Sequence, residues 1–263
     1  MKSSLFLGLL AVAITVSAQD WAKAKLEKSP RHQEWVEVKN GTRTVHSFVV
    51  YPEVKDKAAV VIVIHENKGL TDWVRSAADQ FAAAGYIAIA PDLLSGASGN
   101  AKTSDFKDAD AATAAIYKLP ADQVTADLNA VAKHAASIPA ANGKIAAAGF
   151  CWGGGQSFRF PTNNKDVKAA LVFYGTGSDK EEDIKRINCP VYGFYGGADN
   201  RINATIPKSK EMMKAAGKTY EPVIYEGAGH GFMRAGEEPG AKAENKKARD
   251  EAWARINDIL KKL

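Results

Sequence analysis

The chain has 263 residues, 46% of them hydrophobic, which is enough for one α/β domain to bury a full core. Its formal charge is +5, but the basic residues alternate with acids, as in residues 242–255, and form no block. A nucleic-acid-binding protein would be expected to carry a clustered basic patch. We therefore predict no nucleic-acid partner.

Residues 1–18 have the pattern of a secretory signal peptide. Lys2 precedes an apolar stretch at 5–14, and the Val-Ser-Ala sequence at 16–18 fits a cleavage site. The apolar stretch is short for a membrane-spanning helix, and no cysteine follows the cleavage site to carry a lipid. We predict an exported protein, periplasmic or secreted, without a stable membrane anchor. Residues 19–32 would form a lead-in, either a short helix or a loosely held segment.

A single domain is predicted from residue 33 to residue 263. Two runs with strand composition, 33–38 and 42–51, flank the turn signal Asn40-Gly41 and predict a hairpin. Later strands are predicted at 59–64, 86–90, 144–148, 168–173, 190–194 and 219–225. Apolar residues at helical spacing predict helices within 74–81, 124–135 and 253–263, and Gly85 ends the first of them. This alternation favours an α/β fold with a mostly parallel central sheet and helices on both faces.

The most informative segment is GFCWGG at residues 149–154, which lies between a predicted strand and a predicted helix. Its spacing is that of a nucleophile elbow, with Cys151 at the position usually held by serine. The positive end of the helix would favour a thiolate there, and the Trp152 amide could hold an oxyanion. The alternative interpretation is that Cys151 is a small buried apolar residue in a tight turn.

Two downstream segments supply the base and the group that would orient it. A predicted buried strand ends in a Gly-Gly turn that leads to Asp199, and the last predicted strand precedes a glycine-rich loop with His230. The order nucleophile, acid, histidine is that of α/β-hydrolases, so we predict a Cys-His-Asp triad. Taken singly, Asp199 could be a turn cap and His230 a polar loop residue.

The β-branched run at 59–64 ends in His65-Glu66-Asn67. In an α/β-hydrolase the loop after this strand lies beside the nucleophile and gives the second oxyanion amide, which we assign to Asn67. Glu66 would be close enough to interact with Cys151, unless it only caps the loop. We expect His65 to be a packed structural residue.

Together these segments resemble the dienelactone hydrolase family. The matching segments are His65-Glu66, residues 149–154, Phe173-Tyr174-Gly175, residues 196–199 and residues 228–234, within a resemblance that spans roughly residues 35–263. The resemblance implies a triad that needs no metal or other cofactor and acts on small-molecule esters or lactones. It also implies that Glu66 accepts a hydrogen bond from the resting thiol until substrate displaces it. A neutral ester, a thioester, or a binding protein that has lost catalysis are the alternatives.

The best-known members of that family bind a substrate carboxylate with two arginines. Arg234 matches one of them, but the other would fall near Gly96, where no arginine stands. A single guanidinium is a weaker anion clamp than two, which leaves dienelactone itself in question. Arg201 is a candidate replacement, and Tyr174 is expected to line the pocket with Arg234.

The two cysteines are predicted to be free. Cys189 begins its predicted strand, whereas Cys151 follows the end of its own. In a parallel sheet these positions lie at opposite edges, about 20 Å apart for strands of six residues. A disulfide requires Cα atoms within about 7 Å of each other.

Overall fold

The computed structural model describes residues 19–263, so the predicted signal peptide lies outside the described residues. Eight strands form one sheet in the order β1-β2-β4-β3-β5-β6-β7-β8. Their bounds are β1 Gln33–Asn40, β2 Arg43–Val50, β3 Ala58–Ile64, β4 Ile87–Pro91, β5 Ala141–Phe150, β6 Val167–Phe173, β7 Val191–Gly196 and β8 Tyr220–Tyr225. The pairs β1–β2 and β2–β4 are antiparallel and every other pair is parallel. The predicted mostly parallel sheet is confirmed.

The central strands are built from side chains that fill both faces of the sheet. All seven residues of β3 are buried. Val61 and Val63 point into one hydrophobic cluster, whereas Val60 and Ile62 point into another. This division follows from the two-residue period of a strand, and burial on both faces explains the continuous β-branched sequence.

Helices cover both of these faces. Their bounds are α1 Asp20–Glu27, α2 Asp72–Ala83, α3 Ala109–Ile116, α4 Ala121–Ser137, α5 Trp152–Arg159, α6 Glu181–Arg186, α7 Asn200–Asn203, α8 Ile206–Ala215, α9 Phe232–Ala235 and α10 Ala243–Leu260. Helices α1, α2 and α10 pack in the first cluster, and α4, α6 and α8 pack in the second. Within residues 19–263 no helix is long and apolar enough to cross a membrane.

The predicted elements at the start of the domain are present. The hairpin forms with Asn40 paired to Arg43 and with Gly41 at a φ of 59°, a left-handed turn conformation that glycine adopts without strain. Of the two alternatives for the lead-in, the structure contains the short helix, α1.

Five neighbouring parallel strands, β3, β5, β6, β7 and β8, end at the same edge of the sheet. The loops at that edge follow these strands and carry the predicted site residues. In open α/β sheets ligands bind at the carboxyl ends of the strands, so the functional site is expected at this edge.

Candidate active site

Cys151 lies in a strained turn between β5 and α5. Its φ of 56° and ψ of −114° are rare for a residue with a side chain. The turn is held by a hydrogen bond from the Cys151 amide to the Phe173 carbonyl at 3.0 Å. A Cβ at Gly149 would lie 1.9 Å from the Gly153 carbonyl oxygen, so only glycine permits this crossing. The geometry is that of the predicted elbow.

His230 and Asp199 meet at the same edge. The His230 ring donates a hydrogen bond from Nδ1 to Asp199 Oδ2 at 2.5 Å, and Asp199 is almost completely buried. The other Asp199 oxygen accepts the Ile202 amide at 3.3 Å, which caps α7. Because Nδ1 donates its hydrogen bond to Asp199, Nε2 is the ring atom left to face the thiol.

His230 also interacts with Cys151. Hydrogen bonding with Cys151 is the largest cause that raises the pKa of His230, and it acts with Asp199 against burial, which lowers that pKa. Cys151, His230 and Asp199 therefore lie side by side at this edge of the sheet.

The two predicted oxyanion amides flank this turn. Trp152 is the first residue of α5, where an amide has no helical acceptor. Asn67 follows β3 in the adjacent loop. Among the described residues no acceptor takes either amide hydrogen.

His65 is fully buried and holds the loop that carries Asn67. Its Nδ1 donates to the Glu66 carbonyl at 2.8 Å, and its Nε2 accepts the Leu93 amide at 3.2 Å. Its ring stacks on Trp152 with centroids 5.5 Å apart. Burial lowers the pKa of His65, so the ring is neutral and packed, as predicted.

Glu66 is buried and pairs with Arg234. Its Oε2 lies 3.4 Å from Arg234 Nε, and Arg234 also donates to Glu238 through Nη1. Burial raises the pKa of Glu66, opposed by Arg234 and His230. One guanidinium therefore stands between two carboxylates, and the structure pairs Glu66 with Arg234 and not with the Cys151 thiol that the resemblance implies.

Tyr174 follows β6 and is fully buried beside His230. Its φ of 42° is strained, and its ring meets that of His230 edge-on at 5.0 Å. Its hydroxyl is buried without a hydrogen-bond partner among the described residues. Burial, together with the charges of Glu66 and Cys151, raises its pKa well above the ordinary value, which keeps the phenol protonated.

A cavity of about 240 Å³ opens onto the thiol. Cys151, Trp152, Tyr174 and His230 line it, and so does Arg201. Arg234 is not among the described residues that line it.

Sequence reasoning missed further lining residues, namely Tyr117, Gln156, Thr176 and Ile202. Tyr117 stands at the C-terminal cap of α3, a helix that was not predicted, and it is 66% exposed. An aromatic residue directly after an alanine-rich segment was the available signal.

No arginine stands at Gly96, but one reaches it from β2. Arg43 Nη1 lies 3.3 Å from where a Cβ at Gly96 would be. That guanidinium is already held by buried Asp127 at 2.8 Å and by the Leu93 carbonyl at 3.1 Å. It is therefore not free to bind a substrate carboxylate.

The loop at 95–104 is tied to the loop after β3. Thr103 donates to buried Asp92 from both its amide and its hydroxyl, and its hydroxyl accepts the Leu70 amide at 3.0 Å. The loop thus braces the segment that carries Glu66 and Asn67.

Both cysteines are free, and burial raises the pKa of Cys189 to about 12. Within residues 19–263 no group of three or more His, Cys, Asp or Glu side chains could hold a metal ion.

The sequence relatives of this chain point to one family of hydrolases. The model of the dienelactone hydrolase family matches residues 45–263. A protein of Escherichia coli strain K12, assigned as a carboxymethylenebutenolidase, is 33% identical over 188 residues, which are 66% of this chain and 67% of the relative. The carboxymethylenebutenolidase of Pseudomonas putida is 27% identical over 198 residues, 72% of this chain and 82% of that protein.

Solved structures agree with the sequence relatives. A Klebsiella pneumoniae protein assigned as a dienelactone hydrolase superposes with a TM-score of 0.77 at 25% identity, over 89% of this chain and 99% of that one. The dienelactone hydrolase of Anabaena variabilis shares the fold, with a TM-score of 0.62 at 18% identity over 83% of this chain and 94% of that one. This chain therefore belongs to the dienelactone hydrolase family and is a hydrolase of that type.

Proposed function

We propose that the chain hydrolyses small esters or lactones through a covalent thioester on Cys151. The observation that carries this proposal is the placement of Cys151 and His230 together at the wall of a small cavity, with the His230 ring hydrogen-bonded to Asp199. A nucleophile within reach of a base, with that base held by a third group, is the arrangement that covalent catalysis requires.

In the acylation step, His230 Nε2 takes the thiol proton and Cys151 Sγ attacks the carbonyl carbon of the substrate. The raised pKa of His230 favours this transfer, because the imidazolium is stabilised by Asp199 and by the sulfur. The carbonyl oxygen becomes an oxyanion, which the Trp152 and Asn67 amides would hold. Loss of one such donor typically costs about 100- to 1,000-fold in rate.

Collapse of the tetrahedral intermediate breaks the bond to the leaving oxygen, and His230 returns the proton to that oxygen. A water molecule then attacks the thioester while His230 accepts its proton. Expulsion of the thiolate releases the acid and, with the proton restored from His230, regenerates the resting thiol.

We further propose that Glu66 controls the resting state of this site. It is buried within the same constellation, and the charge on Arg234 opposes the effect of burial on its pKa. A substrate that enters beside the thiol would meet this carboxylate. Because Glu66 already pairs with Arg234, a substrate that pushes this carboxylate further from the thiol would remove a negative charge from the neighbourhood of the developing thiolate.

Replacement of Cys151 by alanine is expected to lower the hydrolysis of p-nitrophenyl acetate by about 10,000-fold or more, because no nucleophile remains. Circular dichroism would check that the variant is folded. Cys189→Ala is the matched control. The Cys189 thiol is buried just before β7, at the edge of the sheet opposite the cavity, so its removal should leave turnover close to that of the parent.

A second readout uses iodoacetamide near neutral pH. Cys151 should be alkylated first, since the pKa of Cys189 is about 12 and its thiol stays protonated. Full esterase activity in Cys151→Ala would overturn the assignment of the nucleophile. Inactivity of the parent protein towards every ester tested would favour a binding role for the same fold.

A further inference from the structure

Arg201 has a position in the cavity that the proposed mechanism does not use. It is the second residue of α7, the short helix that Asp199 caps, and its side chain is exposed. Among the described residues that line the cavity with Cys151 and His230, it is the only one with a permanent positive charge. An anionic group of a substrate bound in this cavity would therefore meet a wall that carries this guanidinium.

The backbone under Arg201 is fixed while its side chain is unengaged. The Ile202 amide donates to Asp199 at 3.3 Å, and Asn203 Nδ2 donates to the Gly196 carbonyl at 2.9 Å. Ile202 itself is buried. No carboxylate among the described residues pairs with Arg201. A rigid base with a free guanidinium is suited to receiving a ligand.

The other two arginines near the site are already paired. Arg234 stands between Glu66 and Glu238, so a third carboxylate there would meet two like charges. Arg43, near Gly96, is held by buried Asp127. Neither guanidinium offers an anion the open fork that Arg201 does.

The cavity also limits what can bind. Its volume of about 240 Å³ lies below the range of roughly 300–1,000 Å³ that is usual for ligand pockets, so the substrate is small. A planar guanidinium matches a carboxylate with two parallel hydrogen bonds, whereas it gives a neutral ester no comparable contact.

We infer that Arg201 determines specificity by binding a carboxylate on the part of a small ester that does not react. This inference rests on the proposed function, because it assumes that Cys151 attacks an ester in this cavity. It assigns the anion contact to α7, beside the acid of the triad, and leaves Arg234 with Glu66 and Glu238.

The test compares pairs of esters that differ in one charge. The first pair is 4-acetoxybenzoate and 4-acetoxybenzamide, with the charge on the leaving group. The second is phenyl 4-carboxybenzoate and phenyl 4-carbamoylbenzoate, with the charge on the acyl group. In Arg201→Gln the ratio of kcat/KM for the anionic over the neutral ester should fall about 10- to 100-fold in one pair, mainly through KM, since hydrogen bonds to charged groups have that strength.

Two variants make the result specific. Lys208→Gln, at an exposed position of α8, removes the same charge outside the cavity and should keep the ratio within about twofold, because the charge of an exposed side chain is screened by salt. Arg201→Lys keeps the charge without the planar fork and should restore part of the ratio.

The ratios also separate the possible failures. An unchanged ratio in both pairs for Arg201→Gln, with the parent active on both esters, would overturn this inference and leave the proposed function intact. A fall in the ratio for Arg234→Gln alone would place the anion there and would equally overturn it. Loss of both esters in the parent itself would instead count against the proposed function.

Discussion

At the scale of single residues, Asp199 joins the site to the fold with its two oxygens. One accepts a hydrogen bond from the His230 ring, and the other accepts a hydrogen bond from the Ile202 amide in the first turn of α7. The same carboxylate therefore fixes both the tautomer of the base and the position of the helix that displays Arg201. A shift of this residue would disturb the chemistry and the cavity wall together.

Replacement of Cys151 by alanine should lower the pKa of His230. Hydrogen bonding between the imidazolium and the Cys151 sulfur is the largest cause that raises this pKa, and the burial that lowers it remains in the variant. An NMR titration of the labelled imidazole in both proteins would measure the change. The Cys189→Ala variant should titrate like the parent, and an unchanged pKa in Cys151→Ala would show that the thiol and the ring are not in contact.

The same shift has a consequence for stability. A histidine whose pKa is raised by folding stabilises the folded state below its unfolded pKa of about 6.5, and this contribution is lost as the pH rises through the folded pKa. The parent should therefore exceed Cys151→Ala in free energy of unfolding by the largest amount near pH 5.5. This difference between the two proteins should decrease towards pH 8.5. Urea unfolding at these pH values would measure it, and a difference that grows with pH would contradict the assignment.

At the scale of elements, the elbow depends on how closely α5 approaches β3. A Cβ at Gly153 would lie 2.4 Å from the carbonyl oxygens of both Ile64 and His65, and backbone atoms cannot move aside as a flexible side chain can. At Gly155, two residues later in the same helix, the nearest atom is Thr176 O at 3.6 Å, which is ordinary contact.

Gly153→Ala should therefore destabilise the protein by about 1–3 kcal/mol, because α5 must move away from the sheet. Gly155→Ala should instead gain up to about 1 kcal/mol from the higher helix propensity of alanine. Chemical denaturation of the two variants measures the difference directly. Equal stabilities would mean that α5 can retreat from β3 without cost.

The elements that could be predicted from the sequence are those with a local cause. β3 follows from β-branched residues that fill both faces, and the start of α5 at Trp152 follows from the glycine spacing of its turn. The docking of α1 could not be predicted, because Lys25 pairs with Glu237, which lies 212 residues away.

The candidate site also contains residues whose placement follows from the sequence and pairings that only the fold reveals. The chain order predicted that Cys151, Asp199 and His230 would lie at one edge of the sheet, since the carboxyl ends of parallel strands lie together. The pairing of Arg234 with Glu66 depends on the approach of two loops that are distant in sequence. Only the fold shows that this guanidinium is occupied and that Arg201 is not.

At the scale of the whole molecule, Glu237 connects the N-terminal and C-terminal parts of the chain. Its carboxylate, 3% exposed, accepts hydrogen bonds from Lys25 at 2.6 Å, from Trp73 Nε1 at 3.2 Å and from Gln80 at 3.1 Å. Arg249 Nε lies 3.8 Å from it. One side chain thus joins α1, α2 and α10 on a single face of the sheet.

Glu237→Ala should destabilise the protein by about 3–5 kcal/mol, because the half-buried donors around it lose their acceptor. Glu251→Ala is the matched control: its pair with Lys247 is exposed, with 3.9 Å between the charged atoms, and should contribute at most about 0.5 kcal/mol. Urea unfolding followed by tryptophan fluorescence would report both values, and limited proteolysis would show whether α1 detaches first. If α1 were a loose appendage, the Glu237 variant would lose only protection of residues 19–32 and would unfold at the parent's midpoint. A lower midpoint with a single transition would instead show that α1 folds cooperatively with the sheet that carries the site.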